Sequence, residues 1–410
     1  MKSFMLVNFL CMFLFTAARA QCPSQNPNDQ PVCLSKINIG GPRIGLTSVI
    51  GKGGFAEKLD QNKIGHFYSQ FGWQFAATDW REVVESPLID IIDIATPNDS
   101  HAEIAIAAAR AGKNVVCEKP LAMTSRETAE LVAAAAAHPH LVCAVNYNIR
   151  FYPCMLHARA LIRRGELGEI LHLHGSYEQD WLLLPTDFNW RVLAEEGGEL
   201  RAVGDVGTHL LDLAQFVTGL EIESVCADLR TVHPVRQRPV RGSAETFSGK
   251  QAGPTPASEP VAITTDDYAS ILLRFKDGAR GGGTGSQGTA GRKNCVRLEV
   301  AGAKQAIAWN SERPDELWLG QRSGPNQVML RDPAMLDAET AAYSNYPAGH
   351  AEGFPDAFKQ LYRAIYADIR AGRRSPAPLY ATFADGHREL LLCEAIARSH
   401  QTGTWAMIGS

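Results

Sequence analysis

From Ile89 onward the chain alternates short apolar runs with amphipathic stretches, and that alternation restricts the fold more than any other feature. Ile89 to Ala95 reads as a strand ending in the turn Thr96-Pro97-Asn98-Asp99. Ser100-x-x-Glu103 is a capping-box pattern that opens an Ala/Ile-rich helix stopping at Gly112. Asn114 to Cys117 supplies the next strand. Thr124-x-x-Glu127 is a second capping box, its helix ends near His138-Pro139, and Leu141 to Tyr147 makes a third strand. Strands and helices in this order bury their apolar faces as a parallel sheet with covering helices, an α/β architecture.

After about residue 150 the pattern changes to strands joined by hairpin turns: Leu171 to Tyr177, Tyr268 to Phe275 with an Asp277-Gly278 turn, Val296 to Val300, Gln305 to Trp309 and Glu316 to Leu319. These predict a large, mainly antiparallel open sheet in an α+β domain. Helices over Gly207 to Val217 and Asp356 to Ala371 would cover one face. Residues 233–260, rich in Pro, Ser, Gly and Arg, read as a long surface loop or disordered insertion with no chemistry of its own. A chain of 410 residues exceeds what one core organises, so two domains are expected, over 21–148 and 149–410.

The first twenty residues read differently. Lys2, the apolar run Phe4 to Phe15 and Ala18-Arg19-Ala20 form the pattern of a secretory signal peptide, and the run is too short to span a bilayer. No membrane anchor is expected. Of nine cysteines, Cys22 and Cys33 look like a possible disulfide. Cys117, Cys143, Cys154, Cys226, Cys295 and Cys393 lack metal-ligand spacing and read as small buried hydrophobes. The body is therefore cytoplasmic in type, whereas the leader predicts secretion. A net charge of -4 without a long basic run gives no footprint for nucleic acid and favours a small-molecule partner.

Open α/β sheets bind ligands beyond the carboxyl ends of their strands, which puts Thr96-Pro97-Asn98 and Glu118-Lys119-Pro120 where function is expected. Spacing alone also allows Asn98 to be a turn residue and Lys119 a solvated lysine. A second cluster is Gly204-Asp205-Val206-Gly207-Thr208-His209, in which Asp205 and His209 share one helix face while Leu210, Leu213 and Phe216 face a core. An acid and an imidazole in one pocket can relay a proton near neutral pH. The alternative is an N-cap aspartate with a histidine hydrogen-bonded in an interface.

Three ordered segments, Ile91 to Asn98 with His101, Gly112 to Ala122 and Gly204 to Asp212, resemble the Gfo/Idh/MocA oxidoreductase family from about Phe71 to the C-terminus. Tyr177-Glu178-Gln179-Asp180-Trp181, Asn189-Trp190-Arg191, Gly291-Arg292-Lys293-Asn294 and Pro347 to Phe354 are similar to a branch acting on sugars and cyclic polyols. The resemblance implies a Rossmann-like cofactor domain that binds NAD or NADP and a homodimer or homotetramer paired through the open sheet. It implies that Lys119 contacts the nicotinamide region and the reacting hydroxyl, that Asp205 binds substrate and that His209 accepts the proton. Thr96, Pro97, Asn98, His101 and Glu118 would adjoin the cofactor, and Tyr147, Arg150, Tyr177, Trp190 and His350 would line the sugar or polyol pocket. No metal is implied.

The N-terminal part of this unit reads as incomplete. A dinucleotide-binding unit begins with a strand, a G-x-G-x-x-G/A turn, a helix and a second strand bearing an acid. Gly51-Lys52-Gly53-Gly54-Phe55-Ala56, after Ile44 to Ile50, is the nearest match, with Gly51 and Gly53 facing the phosphates, and equally reads as a flexible glycine loop. Gly51 to Trp80 would have to hold a helix, the second strand with its acid, another helix and a short third strand, although one strand-helix-strand unit alone needs roughly 30 residues, so the second strand is expected to be missing. That departure suggests a deletion or a foreign leader, and an exported chain would meet little free nicotinamide cofactor. Three readings stand: an NAD(P)-dependent dehydrogenase or reductase, a catalytically impaired sugar-binding homologue, and a glycosidase using tightly held NAD on the same fold.

Overall fold

The computed structural model describes residues 44–46, 77, 79–240 and 257–409. Its first half is the alternating unit: β1 (Ile44–Leu46), α1 (Trp80–Glu85), β2 (Ile91–Ile94), α2 (His101–Arg110), β3 (Asn114–Cys117), α3 (Ser125–Ala137) and β4 (Cys143–Val145). The strands pair in parallel in the order β1-β2-β3-β4. Both faces are covered, as a parallel sheet requires. Ile92, Ile94, Val115, Cys117, Cys143 and Val145 pack under α2 and α3, while Ile91, Val116 and Ala144 join the larger core of the rest of the chain. Gly51, Gly53, the missing-strand reading, Cys22 and Cys33 and the signal-peptide reading lie outside the described residues.

The two capping boxes part company. Thr124 and Glu127 form theirs, side chain to backbone in both directions, at the start of α3. Ser100 does not cap α2. Its hydroxyl donates instead toward Thr96 Oγ1 at 2.6 Å and the Pro97 carbonyl at 2.8 Å, and Glu103 pairs with Arg81. A three-residue 3₁₀ turn over Asn98–Ser100 leads directly into α2, so Ser100 is already in helical backbone and cannot cap from the extended conformation.

The second half comprises α4 (Pro153–Arg163), β5 (Ile170–Glu178), α5 (Thr208–Thr218), β6 (Ile222–Arg230), β7 (Val235–Pro239), β8 (Ser258–Ala262), β9 (Tyr268–Phe275), β10 (Arg280–Ser286), β11 (Cys295–Gly302), β12 (Ala306–Asn310), β13 (Glu316–Gly320), β14 (Gln327–Leu330), α6 (Phe354–Ala371), β15 (Ala381–Thr382), α7 (Phe383–Thr402) and β16 (Ala406–Met407). Nine strands form the open sheet, in the order β14-β13-β12-β11-β5-β10-β9-β6-β16. Every pair in it is antiparallel except β5 with β10. Near the end of the chain β15 returns to the first sheet and pairs antiparallel with β4.

Residues 233–260 are not an inert loop throughout. Val235–Pro239 and Ser258–Ala262 pair antiparallel, and Arg236 is completely buried. The connecting residues 241–256 are not among those described. The scattered cysteines are free; five of the six are buried and Cys226 is half-buried. No helix among the described residues is long and apolar enough to cross a membrane.

Candidate active site

The carboxyl ends of β2 and β3 open into turns that carry the first half of the site. Thr96, Asn98 and His101 follow β2 and are buried. His101 ties the two turns together: its Nδ1 lies 2.9 Å from the Pro120 carbonyl and its Nε2 2.9 Å from that of Thr96. Burial lowers its pKa, with both carbonyl contacts opposing. His101 is thus a brace between the strand ends. Asn98 donates from Nδ2 to the Gly197 carbonyl at 2.9 Å, joining the β2 turn to the segment that carries the second half. After β3, Glu118 is half-buried with Oε1 2.5 Å from Asn146 Nδ2, and desolvation raises its pKa against the pull of Lys119. The Lys119–Pro120 peptide is cis.

The second half comes from a π-helical turn, Val203–Gly207, continuous with α5. Asp205 lies inside this turn rather than at an N-cap, so Asp205 and His209 stand one turn apart on a single helical run. Lys119 reaches across from β3: its Nζ donates to Asp205 Oδ1 at 2.5 Å and to the Asp205 carbonyl at 2.7 Å. The other carboxylate oxygen accepts from Gln287 Nε2 at 2.5 Å, and Arg191 Nε lies 3.7 Å from Oδ1. Burial alone would raise the Asp205 pKa. The cations of Lys119 and Arg191, with the Lys119 hydrogen bond, instead hold it far below the usual carboxylate range.

His209 is 5% exposed, and its Nδ1 is buried without a hydrogen-bond partner among the described residues. The rings of Tyr147 and Tyr177 stand edge-on and tilted against it, with centroids 5.3 and 5.9 Å away. Burial, then the Lys119 charge, push its pKa well below 6.5, with Asp205 opposing. The imidazole is therefore neutral near pH 7, with a ring nitrogen free to take a proton. A fixed cation beside a neutral imidazole can hold a hydroxyl oxygen, stabilise charge developing on it and remove its proton.

Lys119, Asp205, His209, Tyr147 and Tyr177 are thus brought together. Trp190 begins a 3₁₀ turn capped by Asn189, and the Arg191 guanidinium stacks 4.4 Å over its ring, which sets this turn beside Asp205. Two other predicted substrate residues go elsewhere. Arg150 makes a buried pair with Asp212, at 2.8 Å through Nε, and a further contact with Asp385 at 3.2 Å. It faces a groove of about 710 Å³, shared with Arg159 and Glu389 and not with Lys119 or His209. An arginine with carboxylates on two sides is satisfied where it stands. His350 is exposed on a loop whose backbone is held by Arg331.

Sequence reasoning missed Gln287, Arg191, Asn146 and Asn294 as site residues. Gln287 sits after a glycine-rich run without strand-like alternation. Asn294, which accepts from Tyr177 OH at 2.6 Å and Gln179 Nε2 at 2.9 Å, follows a turn. Arg191 and Asn294 lie in segments that carry the family resemblance, whereas Gln287 and Asn146 lie in none of them. Among the described residues no group of three or more His, Cys, Asp or Glu could hold a metal ion.

The chain as a whole has relatives. Residues 57–147 match the model of an oxidoreductase family with an NAD-binding Rossmann fold, and residues 155–308 match that of the GFO/IDH/MocA C-terminal domain. The first match begins upstream of Phe71 and downstream of Gly51 and Gly53. A levoglucosan dehydrogenase from Pseudarthrobacter phenanthrenivorans is 34% identical over 346 residues, covering 82% of this chain and 84% of that protein. A solved levoglucosan dehydrogenase in complex with NADH and levoglucosan superposes with a TM-score of 0.75 at 29% identity, over 85% of this chain and 88% of that one. An inositol dehydrogenase homolog from Azotobacter vinelandii, complexed with NADH and myo-inositol, gives 0.70 at 27% identity over 85% and 87%. With its paired sheets, its strand-end site and these matches along most of its length, the chain belongs to the Gfo/Idh/MocA family of NAD-binding oxidoreductases.

Proposed function

We propose that this protein is an NAD-dependent dehydrogenase that oxidises a secondary hydroxyl of a sugar or cyclic polyol. The observation that carries the reading is the half-buried Lys119–Asp205 pair, 2.5 Å apart, beside a neutral His209 at the carboxyl end of the parallel sheet. The substrate class follows the relatives, whose bound compounds include levoglucosan and myo-inositol.

The donor set fits a nicotinamide at this position. Thr96, Pro97, Asn98, Glu118 and Lys119 line the strand ends where a dinucleotide lies in such sheets, and His209 Nδ1 is a buried polar atom with no hydrogen-bond partner among the described residues. A bound nicotinamide would supply the hydride acceptor for the substrate carbon. Lys119 Nζ holds the hydroxyl oxygen and stabilises its growing negative charge. The His209 imidazole takes the hydroxyl proton. Asp205 holds Lys119 in place through two hydrogen bonds and offers an acceptor to a neighbouring hydroxyl. The aromatic walls of Tyr147 and Tyr177 exclude water around the imidazole. The reading of a catalytically impaired homologue rests on the stretch before Trp80, most of which is not described.

Fluorescence titration of the protein with NADH and separately with NADPH tests the cofactor half. Saturable NADH binding near the micromolar range, about -8 kcal/mol, is expected. No binding at millimolar NADH would remove the reading.

A further inference from the structure

A chain of buried polar contacts leaves the site in a direction the reaction does not use. Gln287, completely buried, donates to Asp205 Oδ2 and accepts from Arg201 Nη1 at 2.6 Å through Oε1. The other end of the Arg201 guanidinium pairs with Asp267, and the same Asp267 oxygen receives Arg236 Nη2 at 2.6 Å. Arg236 belongs to β7, in the segment whose composition reads as an inert loop. Both arginines have completely buried side chains.

A second branch starts from the same guanidinium. Arg236 donates to the carbonyls of Leu184 and Asp187 at 2.9 Å and of Leu182 at 3.0 Å. His233 Nε2 lies 2.9 Å from the Leu183 carbonyl, and the Gln237 backbone N–H donates to Pro185. Leu182, Val192, Leu193 and Ile263 form a small separate core between this hairpin and the 180–193 segment. That segment carries Trp190 and Arg191, the latter 3.7 Å from Asp205. Both branches therefore end on the same carboxylate.

We propose that Arg236 is a positioning residue for the substrate site: the β7–β8 hairpin holds Asp205 through Asp267, Arg201 and Gln287, and sets Arg191 through the 182–187 backbone. Burying two arginines against one aspartate is costly unless their donors are satisfied, which this network does for most of them. A hairpin needed only to cover the sheet edge could use apolar residues there. The inference rests on the dehydrogenase reading for its kinetic consequence, though not for its structural one.

The test compares Gln287→Met, Arg236→Met, Arg236→Lys and the double methionine variant in the full chain. With NAD⁺ and an accepted polyol, each methionine variant should lower kcat/KM for the polyol at least about tenfold, leaving KM for NAD⁺ within about twofold. Residues acting through one network couple, so the double variant should be little worse than the poorer single one. Arg236→Lys should recover part of the loss. Should Arg236→Met fail to fold, Gln287→Met alone carries the test, because it cuts the network at Asp205 and leaves the hairpin intact. Unchanged polyol kinetics in folded Gln287→Met, or fully multiplicative losses in the double variant, would overturn the proposal. Wild-type protein that binds NADH but oxidises no polyol would mean the dehydrogenase reading has failed. The proposal is then read from the His209 signal in histidine-labelled NMR spectra, which should move in both single variants; a signal at its wild-type position would reject it.

Discussion

His209 is neutral for a stated reason: burial removes water from the imidazole, and the ammonium of Lys119 stands nearby. Both disfavour a second positive charge, so the base form persists as pH falls past the ordinary histidine value. For alcohol oxidation kcat/KM should stay flat from about pH 7 to about pH 6, where an unperturbed histidine would already have lost more than half its base form. A fall centred near 6.5 would contradict this account of its surroundings. Replacing Lys119 with Met removes the cation, so the acid limb should move up toward 6.5 while the rate drops. His209→Ala should lower kcat by about 10²- to 10⁴-fold, the usual worth of a general base, and leave NADH affinity within a few-fold. Steady-state kinetics with parallel fluorescence titration separate the two effects. At this scale the sequence motifs were informative about Lys119, Asp205 and His209. They said little about Arg150, because an arginine beside an aromatic reads the same whether it faces a sugar or two carboxylates.

Elements show where local pattern is enough and where it is not. β9 was legible over its whole span, Tyr268 to Phe275, because every second residue is buried. β10, Arg280-Gly281-Gly282-Gly283-Thr284-Gly285-Ser286, has no such alternation, and its strand state comes from its neighbours β5 and β9. One of its glycines, Gly283, answers to the helix above. A Cβ at Gly283 would come within 3.0 Å of Leu210 on α5, and one at Gly175 on β5 within 2.8 Å of the same side chain. The two capping boxes, alike in sequence, should behave unlike in mutation. Thr124→Ala should cost about 1 kcal/mol, whereas Glu103→Ala, which breaks an exposed pair with Arg81, should change stability by less than about 0.5 kcal/mol. Chemical denaturation measures both.

The β2–α6 contact adds a pH-dependent prediction. Asp93 faces α6 and accepts from Tyr362 OH at 2.5 Å; burial raises its carboxyl to about 7, the Tyr362 hydrogen bond opposing and Glu118 adding. The folded state holds a proton that the unfolded chain gives up above about pH 4, so the group's contribution to stability is lost as pH rises through about 7. Asp93→Asn should therefore leave Tm nearly unchanged at acid pH and raise it by about 2 °C or more above pH 7. An equal shift at every pH would point to packing instead.

Across the whole molecule, the two-sheet architecture follows from a change in hydrophobic pattern near residue 150, and that much could be read without coordinates. What could not be read is how distant segments meet. β15 crosses back to the first sheet, Asn98 reaches Gly197, and Arg236 reaches Asp267 from a stretch that looks like loop. These are contacts between residues with no shared local period, and only the assembled chain specifies them. The same assembly brings Lys119 from one sheet against Asp205 from the helix covering the other, and the proposed chemistry depends on that meeting. The most direct measurement is formation of reduced nicotinamide by the full chain given NAD⁺ with levoglucosan, myo-inositol and a panel of related sugars and polyols, each compared with the His209→Ala variant. The account predicts NADH formation that requires both NAD⁺ and at least one of these substrates and that falls at least a hundredfold in the variant. No NADH from any of them at saturating NAD⁺, or equal rates in wild type and variant, would contradict it.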